Sequence, residues 1–91
     1  PLAALDMHYQ IEVIQLIRRL VDEQGLSVVI IIHDINLAAQ YADRIIALKN
    51  GRVCHNGTIK STMQSEVLYD IFNVDMQLLS HPITGQPVAV A

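Results

Sequence analysis

The sequence predicts an α/β fold, and three observations predict it. Five consecutive β-branched residues, Val28 to Ile32, form a short, uniformly apolar run that ends on His33-Asp34. Ahead of it, Ile11, Ile14, Ile17 and Val21 recur at helical spacing. After it, Asn50-Gly51 stands between two apolar stretches, a strong signal for a hairpin turn. Val and Ile lose side-chain freedom in helices and pack well on a pleated surface. A run this short and this apolar reads as a strand buried on both faces, as in a parallel sheet covered by helices.

The elements follow in order. Pro1 to Leu5 reads as a short apolar connection, and Asp6 as a cap for the helix after it. That helix runs from about His8 to Gln24, with Val13, Leu16 and Leu20 widening its apolar face and Arg18, Arg19, Asp22 and Glu23 mostly on the wet side. Gly25 supplies a left-handed stop. The buried strand then spans roughly Ser27 to Ile32, with His33 at its carboxyl end, where open α/β sheets bind ligands. Asp34 opens a second helix, about Ile35 to Ala42. After a turn at Asp43-Arg44, Ile45 to Leu48 and Arg52 to His55 form a hairpin closed by Asn56-Gly57. The expected architecture is therefore a βαβ unit followed by a hairpin. Ile59 to Met63 reads as one helical turn. Ser65 to Phe72 reads as a short helix with Val67, Leu68, Ile71 and Phe72 inward. Val74 to Leu79 alternates loosely as a strand, His81 to Gly85 turns, and Pro87 to Val90 pairs back as an edge strand.

Bulk composition narrows the function classes. The 91 residues make at most one small domain. Hydrophobic residues are 52% of the chain, with three Tyr, one Phe and no Trp, so the apolar load is aliphatic. A net charge of −3 gives no electrostatic footprint for nucleic acid. The single cysteine, Cys54, excludes an internal disulfide and suits a reducing compartment. No leader peptide is expected, since no basic region precedes a long apolar core, and no apolar run is long enough to span a bilayer. The opening Pro1-Leu2-Ala3-Ala4-Leu5-Asp6 reads as the middle of a protein.

Three stretches are specific together: Pro1 to Asp6, then Ile32-His33-Asp34-Ile35-Asn36-Leu37-Ala38, then Ala42-Asp43-Arg44-Ile45-Ile46-Ala47-Leu48-Lys49-Asn50-Gly51-Arg52-Val53. In order and spacing they resemble the C-terminal part of the ATP-binding subunit of an ABC transporter, and the resemblance covers essentially the whole chain. Ala4-Leu5-Asp6 is similar to the D-loop core, with Ala3 where the family often has Ser. His33 is similar to the switch histidine of the H-loop. The wording from His33 to Ala38, with His81-Pro82-Ile83-Thr84-Gly85-Gln86-Pro87, resembles the subgroup serving iron–siderophore, haem and cobalamin importers.

The resemblance implies the C-terminal part of a P-loop NTPase fold, read as one stretch over residues 1–91. In the family Pro1 would directly follow the Walker B carboxylates. Walker A, the Q-loop and the signature sequence are absent from this sequence. The chain is thus expected to be a fragment, inactive alone, of an ATPase that uses ATP and Mg²⁺ and drives import of an iron complex or a related chelate. Its implied partners are a second ATP-binding subunit and a membrane-spanning permease, at the cytoplasmic face of the membrane, with no nucleic acid. A fragment with an unpaired buried-type strand is expected to self-associate. The alternative is a stand-alone, non-catalytic α/β interaction module.

Each candidate residue has a bland reading beside the functional one. His33 is implied as the catalytic γ-phosphate sensor; otherwise it is a histidine satisfied by the neighbouring loop. Ala4, Leu5 and Asp6 are implied at the interface between two ATP-binding subunits; Asp6 is otherwise only a helix cap. His8, His55 and His81 have no ligand-like spacing with one another or with Cys54, so no metal site is expected. Cys54 has no nearby base to activate it. Arg18-Arg19 is expected to be a solvated helix face.

Overall fold

The computed structural model describes residues 2–91, with the side chains of residues 7–91. It divides into two compact units, one ending at Ile31 and one running from Ile32 to Ala91.

The first unit is built on helix α1, Leu2–Gln24. The helix begins four residues ahead of Asp6, which corrects the expected connection and cap. Leu2-Ala3-Ala4-Leu5 consists of the strongest helix formers, so nothing in the backbone stops the helix short of them. Ile14 is buried, and Ile11, Ile17, Leu20 and Val21 are half-buried. On the wet side Arg18 Nη2 donates to Asp22 Oδ1 at 2.6 Å, one turn on. The helix ends at Gly25, which has φ +66° and donates its N–H to the Val21 carbonyl at 2.9 Å.

The run Val28 to Ile32 is not a strand. Among the described residues the two sheets each hold two strands, and neither includes this run. Exposure alternates along it, at 47, 93, 41 and 88% from Val28 to Ile31. β-branched residues favour a pleated surface, but a strand exists only when another backbone completes its ladder. The expected βαβ unit and its parallel pairing are therefore replaced by antiparallel hairpins.

The second unit carries the remaining elements. Helix α2 is Ile35–Tyr41. Strands β1, Arg44–Lys49, and β2, Arg52–Thr58, pair antiparallel. Their turn holds Asn50 at φ +52° and Gly51 at φ +74°, the left-handed pair that matches strand twist. Between Ala47↔His55 and Leu48↔Val53 the register shifts, leaving Cys54 as the extra residue of a bulge. Asn56 and Gly57 do not close the hairpin: they continue β2 and pair with Ile46 and Ile45.

Gly57 is buried where the chain turns into helix α3, Ile59–Thr62. A Cβ there would run into Ser61 Oγ and lie 2.9 Å from His55 Nε2. The Thr58 side chain caps α3 by accepting from Ser61 N. Helix α4 is Ser65–Phe72, as its pattern predicts, although Phe72 is 39% exposed rather than inward. Strand β3 is Gln77–Ser80, starting later than expected, and it pairs antiparallel with β4, Pro87–Val90.

The core of this unit gathers Ala39, Met63, Leu68 and Ala89, with Ile35, Ile59, Met76 and Leu78 packed against it. It joins α2, the α3–α4 corner and the C-terminal hairpin. Among the described residues, no helix is long and apolar enough to cross a membrane.

Candidate functional site

His33 lies at a bend two residues before α2. It is exposed, and its side chain makes no hydrogen bond among the described residues. The bland reading, a histidine satisfied by its own loop, finds no partner there. The carboxyl end of a buried strand, where His33 was expected, is likewise not formed.

What holds the bend lies on its C-terminal side. Asp34 is the N-cap of α2, with extended backbone. Its Oδ1 accepts from Asn36 N at 2.9 Å and Leu37 N at 3.3 Å. These amides have no partner within the helix, so the carboxylate completes the first turn. The cap agrees with the reading of Asp34 as the opening residue of this helix.

Asn36, which the sequence marks only as part of the His33 to Ala38 stretch, has the larger structural role. Its Oδ1 accepts from Ala89 N at 2.7 Å, and its Nδ2 donates to Ala89 O at 3.0 Å. One side-chain amide thus pairs with both the N–H and the C=O of Ala89 on the open edge of β4, as a residue of a neighbouring strand would. The two bonds also fix which way the amide faces, because only the oxygen can accept and only the nitrogen can donate. At the last turn of α2, the Thr84 hydroxyl donates to Gln40 Oε1 at 3.3 Å. Asn36, of the first segment read as subgroup wording, thus bonds just beyond the second, and Thr84, of the second, bonds just beyond the first.

The other histidines have local partners. His8 Nε2 meets Glu12 Oε1 at 3.0 Å across one exposed helical turn. His55 Nε2 lies 2.9 Å from Thr62 Oγ1, which itself donates to the Thr58 carbonyl at 2.7 Å. His81 Nδ1 accepts from both Ile83 N and Thr84 N at 3.1 Å, so the ring organises the turn between β3 and β4. Cys54 is exposed. The backbone of Ala4, Leu5 and Asp6 belongs to α1, but their side chains lie outside the described residues.

These donors do not fit Mg²⁺. No three His, Cys, Asp or Glu side chains converge among the described residues, and the Asp34 carboxylate is engaged by two helix amides.

No family model matches the chain. Over 90 residues it is 38% identical to the iron(3+)-hydroxamate import ATP-binding protein of Bacillus subtilis, covering 99% of this chain and 34% of that protein. It is 42% identical to the petrobactin import ATP-binding protein of the same organism, covering 99% and 35%. It is 37% identical to the hemin import ATP-binding protein of Escherichia coli, again covering 99% and 35%. The chain resembles ATP-binding subunits of ABC importers over nearly all of its length, and spans about a third of the length of these relatives.

Proposed function

We propose that this chain is the C-terminal part of the nucleotide-binding domain of an ABC importer, and that His33 serves ATP hydrolysis in the intact subunit. The similarity of 99% of the chain to import ATP-binding proteins supports the class. The observation that carries the role of His33 is its setting: an exposed imidazole at a bend, immediately before a capped and anchored helix. An imidazole N–H held there can donate to the terminal phosphate and order the attacking water as charge redistributes during transfer.

Ala4, Leu5 and Asp6 would face a second ATP-binding subunit, and a membrane-spanning permease would complete the importer on the cytoplasmic side. ATP and Mg²⁺ would be held mainly by parts of the subunit that this sequence does not contain. The relatives' names point to an iron–siderophore complex or haem as cargo. The isolated chain would be inactive.

The test is steady-state turnover and nucleotide affinity for His33→Ala in the intact subunit. A hydrogen bond to a charged group contributes about 1.5–3 kcal/mol, so turnover should fall roughly ten- to 150-fold if the bond forms mainly in the transition state. Nucleotide affinity should change little. Near-wild-type turnover would return His33 to an ordinary loop residue.

One observation favours the second reading, a non-catalytic module. The unit from Ile32 to Ala91 has its own core around Leu68. The encoding reading frame separates the two: a Walker A sequence upstream decides for the ATPase, and a short frame starting near Pro1 for the module.

A further inference from the structure

We propose that Asn36 is a positioning residue for His33, and that the C-terminal hairpin β3–β4 is thereby part of the hydrolytic apparatus. The inference rests on the role of His33 given above.

His33 has no bond of its own, so the element beside it sets where it stands. That element is α2, a helix of seven residues, too short to hold its own geometry in water. Two hydrogen-bonded attachments fix its first turn, the one next to His33. Asp34 closes its first turn from within. Asn36, in that same turn, clamps it to the backbone N–H and C=O of Ala89 in β4 from outside, at 2.7 and 3.0 Å. Ala39, 2% exposed, then packs with Ala89 in the core. The small side chains at both positions let the helix approach the strand closely enough for the amide to reach.

The hairpin is itself held firmly. Ser65 Oγ donates to the Met76 carbonyl at its base, Leu78 packs on the core, and His81 fixes its turn through two amides. A chain of attachments therefore runs from the core through β4 and Asn36 to the bend at His33. Loss of the clamp would leave His33 present but mis-set. Misplacement by about 1 Å can cost about a hundredfold in rate without touching binding.

The experiment uses the intact ATP-binding subunit that carries this segment, with four variants. Asn36→Ala removes both bonds. Asn36→Asp keeps an acceptor for Ala89 N and suits the positive end of the helix, but cannot donate to Ala89 O. Lys49→Met is the stability control: it removes two bonds elsewhere in the unit, from Lys49 Nζ to Asp70 O and to Asn73 Oδ1. His33→Ala marks the ceiling.

The expected result is a fall in kcat of about ten- to a hundredfold for Asn36→Ala, with nucleotide affinity kept. Asn36→Asp should show a smaller fall. Lys49→Met should melt earlier yet turn over normally. Wild-type turnover in both Asn36 variants, or a loss no greater than that of Lys49→Met, overturns the proposal. If Asn36→Ala does not fold, Asn36→Asp decides alone. Crippled His33→Ala with normal Asn36 variants sinks this inference only, whereas normal His33→Ala sinks the underlying role and this inference with it.

Discussion

Asn36 and Ala89, 53 positions apart in the chain, exchange two hydrogen bonds between one side-chain amide and the backbone N–H and C=O of one residue. The Ala89 N–H has that amide oxygen as its acceptor, which makes its solvent exchange a direct report on the clamp. Substituting Asn36→Ala should accelerate exchange at Ala89 by about fivefold, the equivalent of one hydrogen bond of roughly 1 kcal/mol. Amides within α4 should be unchanged. Uniform acceleration across the unit would show a loss of global stability instead of a local release.

Asp34 predicts a stability effect of different origin. Asp34→Ala leaves the first amides of α2 without their acceptor and should cost about 1 kcal/mol. For a chain of this size that lowers the melting temperature by about 4–8 °C. Asp34→Asn, which keeps a capping oxygen, should melt close to wild type. In the intact subunit Asp34→Asn should likewise leave turnover near wild type, since the side-chain oxygen that accepts from Asn36 N and Leu37 N is kept.

Gly57→Ala should destabilise by about 1–3 kcal/mol, the usual cost of overpacking. The added methyl group would strike Ser61 Oγ and crowd His55 Nε2, beside the buried Thr62. Thermal denaturation measures it. An unchanged melting temperature would mean that the β2–α3 corner has room to open.

Val29 and Ile31 are 93 and 88% exposed, side by side with Val28 and Ile30 at 47 and 41%. We expect the isolated chain to self-associate through this run. Covering a few hundred Å² of apolar surface at about 25 cal/mol per Å² gives a substantial driving force. Light scattering at rising concentration should show oligomers, and Val29→Lys with Ile31→Lys should reduce them. A clean monomer at high concentration counts against it.

Legibility in the sequence followed the range of the interaction. Asp34, Gly25 and the Asn50-Gly51 turn act within three or four residues, and each does what its type predicts. So does Ser65 to Phe72, where the apolar spacing alone defines the helix. The run from Val28 to Ile32 failed because β-propensity describes a side chain's fit to a sheet, not the presence of a neighbouring strand. Asp6 failed because Leu2 to Leu5 already favour helix. Asn36 was invisible as an anchor, since its partner is a backbone group on a distant strand, and no residue type at position 89 announces it.

The isolated chain should neither bind nor hydrolyse Mg-ATP appreciably. Its sequence contains no glycine-rich phosphate loop, whose backbone amides and lysine supply most contacts to the phosphates. The phosphate contact that the proposed function leaves to this chain is the exposed imidazole of His33. A single hydrogen bond to a charged phosphate contributes about 1.5–3 kcal/mol. A millimolar complex already requires about 4 kcal/mol and a micromolar one about 8. Association itself costs about 4 kcal/mol or more in lost translational and rotational freedom, which one bond does not offset. Titration calorimetry with Mg-ATP should therefore give only heats of dilution. Micromolar affinity would require a phosphate cradle formed by residues other than His33, and the assignment of nucleotide binding to the rest of the subunit would fall.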